Sequence, residues 1–224
     1  MLGFAALGNL LQSYGEGIRY VCGGIATFLL ILVLMKLIMF PEMIKEDFKN
    51  PILASVAATF PMALMLLSTY IKPFIGVGAK YIWYFAIGLH IILIVYFTIK
   101  FLLKLQMPKV FASYFIVYVG IAVAAVTAPA FEELAIGAGA FWFGFLTLIG
   151  LLVLVTIRYM KYKEIPEPAK PLFCIYAAPT SLCVAGYVQS VTPKSREFLL
   201  AMLLVATVLY VLALVKAISY LKLK

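Results

Sequence analysis

Residues 52–71 read ILASVAATFPMALMLLSTYI, and this stretch decides the fold class. It matches the ~20 apolar residues that a helix needs to cross the hydrocarbon core of a membrane, and it contains no charged side chain. Its proline, Pro61, lies near the middle among small and hydroxylated neighbours. The stretch therefore predicts a membrane-spanning helix that is disturbed at Pro61, because proline removes a backbone hydrogen bond.

The composition of the whole chain supports this interpretation. Of the 224 residues, 66% are hydrophobic and 12% are charged, and the mean hydropathy is +1.11. A soluble domain carries about 25% charged residues. The composition therefore excludes a soluble globular protein, a disordered chain and a secreted disulfide-rich scaffold, and it predicts a polytopic membrane protein.

Seven stretches are long enough to span a membrane, and an eighth, at residues 2–11, is too short. We number these segments one to eight in chain order, the short one first. The seven full segments cover approximately residues 20–40, 52–71, 81–104, 113–131, 138–160, 172–191 and 197–221. Short connections rich in proline, glycine and charge separate them, so residues 1–224 are predicted to form a single transmembrane domain.

Segments three, five and seven differ from segments four, six and eight. Each set repeats after about 60 residues, and each odd member contains an interior proline, Pro61, Pro129 or Pro179. The even members lack one and are rich in large apolar residues. The pattern predicts an all-α bundle of helical hairpins in which the odd helices, kinked by proline, are inner and the even helices are outer.

The proline-containing segments carry no Asp, Glu, Lys, Arg or His. A proton-coupled transporter places such groups at mid-membrane, and a metal transporter needs clusters of His, Cys or carboxylate. We therefore predict a passage for passive movement of a small ion or solute, with no catalytic residue, metal site or cofactor, and the sign of the ion stays open. The predicted pore-lining residues are Thr59, Phe60, Pro61, Thr127, Pro129, Pro179, Thr180 and Ser181.

The formal net charge of +9 is distributed unevenly between the two membrane faces. Thirteen Lys and Arg residues lie on the side of the connections that follow segments two, four, six and eight, and five lie on the other side. The positive-inside rule then places the first side, and both termini, in the cytoplasm. The same rule accounts for most of the excess charge, so no nucleic-acid partner is predicted.

A few polar residues have two interpretations each. His90 lies in the middle of segment four and is either a proton relay or a neutral side chain hydrogen-bonded to a neighbouring helix. Glu132 and Glu133 follow segment five and form either an exposed outer loop or an electrostatic filter at an entry site. The three cysteines are expected to be small buried apolar residues.

Four stretches resemble the tellurite-resistance/dicarboxylate transporter family, which includes bacterial tellurite-resistance proteins, malate and sulfite carriers and plant slow-type anion channels. They are LGFAALGNLLQSYG at 2–15, ATFPM at 58–62, VTAPAFE at 126–132 and AAPTSLCVAGY at 177–187. The resemblance implies ten helices in five hairpins, with the odd helices around a central pore and usually a trimeric assembly. It also implies passive movement of anions.

The chain departs from the family pattern at both ends. Segment one lacks its front half, and the chain ends after segment eight. The expectation is a partial domain without the fifth hairpin, and without the ninth helix that carries the family's pore-occluding phenylalanine. Such a chain is expected to conduct anions poorly on its own.

The predicted function is passive movement of small anions through a central pore in the cell membrane. The candidate anions are C4-dicarboxylates such as malate, sulfite, tellurite and halide-like ions. The expected partners are the lipid bilayer, these anions and further copies of the chain. The alternatives are a non-transporting membrane scaffold or fragment and, with less support from the residues, a membrane-embedded enzyme.

Overall fold

The computed structural model describes residues 1–162 and 164–222, and in these residues it contains eleven α-helices and no strand. The helices are α1 Leu2–Leu10, α2 Glu16–Met39, α3 Pro41–Asp47, α4 Pro51–Ala57, α5 Thr59–Ile75, α6 Val77–Phe97, α7 Tyr114–Tyr118, α8 Ala122–Thr127, α9 Leu134–Lys161, α10 Ala178–Ser190 and α11 Arg196–Lys222. Shorter helical turns cover Leu11–Tyr14, Thr98–Leu102, Met107–Lys109, Ala128–Phe131 and Glu167–Tyr176. The predicted all-α class is confirmed.

Six helical stretches among the described residues are long and apolar enough to cross a membrane. They are Glu16–Met39, Pro51–Ile75, Val77–Leu102, Leu134–Lys161, Ala169–Ser190 and Arg196–Ser219. Segment five is absent from this set because α7, α8 and the turn Ala128–Phe131 replace one continuous helix. The count of seven full spans stays a prediction. The orientation in the membrane also stays a prediction, and two of the lysines counted for it, Lys163 and Lys224, lie outside the described residues.

The odd segments are the more buried ones. In the most apolar window of Pro51–Ile75, 56% of the residues are buried, and in that of Ala169–Ser190 the share is 39%. The corresponding windows of α2, α6 and α11 are each 17% buried. Residues 113–125 of segment five are buried almost without interruption. Large apolar side chains on α2, α6 and α11 instead cover the outer surface.

Pro61, Pro129 and Pro179 each stand in the first turn of a helical piece. The chain leaves the helix at Ala58 between α4 and α5, and Pro61 is the third residue of α5. Pro179 is the second residue of α10, and Pro129 is the second residue of the turn Ala128–Phe131. Proline is tolerated in a first turn because the N–H it lacks has no helical acceptor there. Bending of the helix axes at these positions stays a prediction.

Segment five is interrupted between Tyr118 and Ala122, and Gly120 lies at the interruption. A Cβ atom on Gly120 would lie 2.1 Å from the carbonyl oxygen of Ile116 and 2.7 Å from Sδ of Met62, so only glycine fits. The ring nitrogen Nε2 of His90 donates to the carbonyl oxygen of Val117 at 2.8 Å. That carbonyl would accept the N–H of Ile121 in a continuous helix. The hydrogen bond predicted between His90 and a neighbouring helix is therefore present, and it stabilises the interruption.

Candidate functional site

A cavity of about 950 Å³, which we call the central cavity, lies between the odd segments. Its wall is built by residues within 2–12, which cover segment one and the start of the turn after it, 59–69 of segment three, 115–130 of segment five and 175–189 of segment seven. Among the described residues, α6, α9 and α11 contribute nothing to this wall, and α2 contributes Arg19 alone. At 1.5 Å per helical residue the cavity follows the odd segments for roughly 15 Å.

Four of the eight predicted pore residues line the central cavity. They are Thr59, Thr127, Pro129 and Pro179, and together they come from segments three, five and seven. The wall also includes Met62, Leu66 and Thr69 of α5, and Leu182, Ala185 and Gln189 of α10. These positions recur at three- and four-residue intervals, as expected for one face of a helix.

The other four predicted residues do not line the cavity. Phe60 and Pro61 fall between the positions of α5 that do, and Thr180 and Ser181 fall between those of α10. Pro61 and Thr180 are buried in the bundle, whereas Ser181 is exposed and donates to the carbonyl oxygen of Ala177 at 3.1 Å. The sequence analysis selected the neighbours of each proline and did not apply the helical period, which would have selected the lining face.

One end of the central cavity carries a polar network. Nε of Arg19 donates to Oδ1 of Asn9 at 3.3 Å, and its Nη2 donates to the carbonyl oxygen of Thr69 at 3.1 Å. The amide of Asn9 donates to Oγ1 of Thr69 at 3.4 Å. The guanidinium also lies 4.7 Å from the centre of the Tyr70 ring. The network joins α1, α2 and α5 at this end of the cavity.

Arg19 is the one charged side chain among the described residues that line the central cavity. In the sequence it directly precedes segment two, which begins near residue 20, but in the structure it is only 8% exposed. Its ion-pair partner is Glu16 at 3.6 Å, whose side chain is 56% exposed. Because water around the Glu16 carboxylate weakens the attraction between the two charges, Glu16 compensates the charge of Arg19 only in part. A positive charge on an apolar wall raises the local concentration of anions.

Two further contacts hold the wall of segment five in place. Nε1 of Trp83, a buried residue of α6, donates to Oγ1 of the lining residue Thr127 at 2.8 Å. Nζ of Lys72 donates to the carbonyl oxygen of Ala130, which also lines the cavity. Side chains from α5 and α6 therefore position the part of this wall at Thr127 and Ala130.

The paired glutamates do not line the central cavity. Oε1 of Glu133 lies 2.5 Å from Nζ of Lys80 and 2.5 Å from the hydroxyl of Tyr84, both of which belong to α6. The hydrogen bond from Lys80, followed by that from Tyr84, holds the pKa of the Glu133 carboxyl below its usual range. Glu133 thus connects α6 to the start of α9, while Glu132 is exposed.

The cysteine prediction was partly wrong. Cys22 and Cys183 are buried, but Cys174, in the turn Glu167–Tyr176, is exposed. Within 1–162 and 164–222, no group of three or more His, Cys, Asp or Glu side chains is placed to hold a metal ion.

An all-helical apolar chain whose odd segments surround an interior cavity defines a polytopic membrane protein of the channel or transporter class. The chain belongs to the SLAC1 family of voltage-dependent anion channels, whose family model matches residues 1–223. This match confirms the resemblance drawn from the sequence, and it implies anion channel or transporter activity. A comparison with curated proteins finds no match to this chain.

Proposed function

We propose that the chain moves small anions passively along the central cavity. The observation that carries this proposal is Arg19, the single charged side chain in the described wall. The residues of the odd segments left the sign of the ion open, and a buried guanidinium at one end of an apolar cavity favours anions over cations. Family membership supports the same sign.

An anion would enter at the end of the cavity that holds Arg19, Asn9 and Thr69. The guanidinium offers N–H donors there and replaces part of the water shell that the anion loses. The anion would then pass the interruption at Gly120 and reach Thr59 near the beginning of segment three. In this proposal Thr59, Thr127, Pro129 and Pro179 border the path directly. The other four predicted pore residues would border this path only if α5 and α10 rotated about their axes, so their role in the pore stays a prediction. They are Phe60, Pro61, Thr180 and Ser181.

The transported ion is proposed to be a small oxyanion, C4-dicarboxylate or halide-like anion, as the family resemblance implies. A volume of about 950 Å³ is at the upper end of the range for small-molecule sites, so none of these ions is excluded by size. The proposal places the domain in the cell membrane with both termini cytoplasmic. It also includes a homo-oligomer, trimeric by the resemblance.

The proposal is tested by anion flux into liposomes that contain the purified chain. Chloride, nitrate, sulfite and malate are compared with potassium, and we expect a small flux that favours the anions. Ala185→Trp places a large ring in the cavity wall and should abolish the flux. The matched control is Ala201→Trp on the exposed surface of α11, which should leave it unchanged.

Equal flux through both tryptophan variants would contradict a passage along the central cavity. Absence of flux from the unmodified chain, with its helical content intact in the same liposomes, would instead favour the non-transporting scaffold. These two outcomes are distinguishable because the first requires transport and the second excludes it.

A further inference from the structure

A lysine lies at the same end of the central cavity as Arg19. Lys72 follows Thr69 by three residues on α5, and Thr69 is the last residue of that helix that lines the cavity. Residues three apart share one helical face, so Lys72 continues the lining face by about 4.5 Å along the helix axis. Its Nζ donates to the carbonyl oxygen of Ala130, which lines the cavity from segment five. The side chain of Lys72 therefore joins two walls of the cavity at this end.

The contacts of Lys72 are with groups that carry no net charge. Besides the carbonyl of Ala130, its Nζ meets the ring of Phe131, whose centre is 5.9 Å away. None of the ion pairs within residues 1–162 and 164–222 includes Lys72. The next lysine along the chain differs, because Nζ of Lys80 lies 2.5 Å from Oε1 of Glu133. Lys72 therefore keeps its positive charge without a carboxylate in contact, whereas the charge of Lys80 is paired.

This end of the central cavity is accessible to water. Gln12 and Pro129 line the cavity here and are exposed, and Lys72 is exposed beside them. Lys72 lies less than one turn before α5 ends at Ile75, a position from which a lysine extends its ammonium group to the interface. Arg19 is buried by comparison. An anion that arrives from the water at this end therefore meets the ammonium group of Lys72 at the surface and the guanidinium of Arg19 inside.

We propose that Lys72 attracts anions to this end of the central cavity and raises the rate at which they enter it. The inference rests on the proposed function, because it concerns the first step along the same passage. A positive charge at the mouth of a cavity with apolar walls increases the local concentration of anions and their rate of arrival. Lys72 acts on the anion before it enters, and Arg19 acts on it within the wall.

The range of this attraction depends on salt, which gives the inference a specific signature. The Debye length is about 30 Å at 0.01 M ionic strength and about 3 Å at 1 M. An exposed charge such as Lys72 is therefore effective over a long distance at low salt and is screened at high salt. A contact that only held α5 against segment five would contribute equally at both salt concentrations.

The first experiment measures the initial rate of chloride flux into liposomes that contain the purified full chain, at low and at high salt. Lys72→Gln removes the charge and keeps an amide donor, so the rate should fall about threefold at 0.01 M and change little at 1 M. Lys72→Arg keeps the charge and should keep the rate. The matched control is Lys194→Gln, an exposed lysine predicted on the same membrane face that does not line the cavity, and its rate should be unchanged.

A second experiment changes the charge after the protein has folded. Lys72→Cys is made in a variant without the three native cysteines, and the introduced thiol is labelled in liposomes with a methanethiosulfonate reagent. A reagent that carries an ammonium group should restore the chloride rate at low salt. A reagent of similar size that carries a sulfonate should lower the rate further, because its charge repels the anion.

The outcomes separate this inference from the function on which it rests. Chloride flux that is the same in the unmodified chain and in Lys72→Gln at low salt would overturn the inference alone. A loss of equal size at both salt concentrations would do the same, since it indicates a structural contact. An equal loss in Lys194→Gln, or equal rates after labelling with the two reagents, would also overturn it. Absence of anion flux from the unmodified chain would overturn the proposed function, and this inference with it.

Discussion

At the residue scale, the charge of the central cavity comes from one side chain. Arg19 lies in the first turn of α2 yet projects into the wall that the odd segments build, because Asn9 and the carbonyl of Thr69 accept its N–H groups there. Buried guanidinium groups are found where such acceptors compensate the loss of water. Single substitutions of Arg19, His90 and Glu133 measure what the polar contacts of each residue contribute.

The substitution Arg19→Gln should lower the preference of the flux for anions by about thirtyfold. Unit charges about 8 Å apart attract each other with ~2 kcal/mol at an effective dielectric constant of ~20, and 1.4 kcal/mol corresponds to a factor of ten. Arg19→Lys keeps the charge and should keep most of the preference. The measurement is the reversal potential across a potassium chloride gradient. An unchanged potential in Arg19→Gln would remove Arg19 from the selection of ions.

The substitution His90→Leu should destabilise the protein by about 1–3 kcal/mol, since the carbonyl of Val117 would lose its donor in a buried site. His90→Gln keeps a donor at a similar distance and should lose less. Thermal unfolding in detergent, followed by circular dichroism, compares the two variants. Equal midpoints for Leu and Gln would show that the hydrogen bond contributes little.

The contact between Glu133 and Lys80 should make stability depend on pH in the acid range. Because the pKa of Glu133 is lowered in the folded protein, its contribution is complete above the carboxyl's unfolded pKa. That contribution is lost as pH falls through the folded pKa. Glu133→Gln should therefore show a smaller decrease of the unfolding midpoint on acidification. The control, Glu132→Gln at an exposed neighbour, should behave like the unmodified chain, and a reduced decrease in both variants would argue against the specific pair.

At the element scale, segment five determines the shape of the central cavity. It is interrupted at Gly120, and its short helices place Phe115, Gly120, Val123 and Thr127 along the cavity wall. An uninterrupted helix would satisfy the carbonyl of Val117 internally and would not need His90. The neighbouring helices α5 and α6 therefore contribute to the conformation of this segment as much as its own residues do.

The substitution Gly120→Ala should destabilise the protein by about 1–3 kcal/mol, the usual range for overpacking. The new methyl group would meet a backbone carbonyl, which cannot move aside as a side chain can. Gly150→Ala is the matched control, since a Cβ atom there meets nothing within 4 Å and alanine favours the helix. Unfolding midpoints of the two variants in detergent give the comparison. A neutral Gly120→Ala would mean that the backbone of segment five adapts freely.

At the scale of the whole molecule, a bundle of helical hairpins separates two environments. The odd segments enclose the central cavity, and the apolar surfaces of α2, α6, α9 and α11 face outward. This arrangement satisfies the backbone within helices where lipid surrounds them. The interrupted backbone of segment five lies inside the bundle, where neighbouring side chains reach it.

The predicted orientation has a direct test in intact cells. In a variant without native cysteines, a single cysteine at Lys49 should be protected from a membrane-impermeant maleimide, while one at Lys194 should be labelled. The positive-inside rule requires this result, because most Lys and Arg residues lie on the side of Lys49. Labelling at position 49 but not at 194 would invert the topology.

Hydropathy and the spacing of the prolines predicted the membrane class and the alternation of inner and outer segments. These properties depend on local composition and on a repeat of about 60 residues, which are legible along the chain. The neighbours of Pro61 and Pro179 were a poor guide to the lining face, since consecutive helical residues point in different directions. Thr59 and Pro179 line the cavity, and Phe60, Pro61, Thr180 and Ser181 do not.

The sequence by itself determined that this protein resides in a membrane, that it is helical and that alternate segments are interrupted. Each of these features depends on the composition of a short stretch of the chain. Only the tertiary structure decided that Arg19 faces the central cavity, that His90 donates to segment five, and that Trp83 donates to Thr127. These pairings join residues that are distant along the chain. The packing of several helices creates them, and no local pattern encodes which side chains will meet.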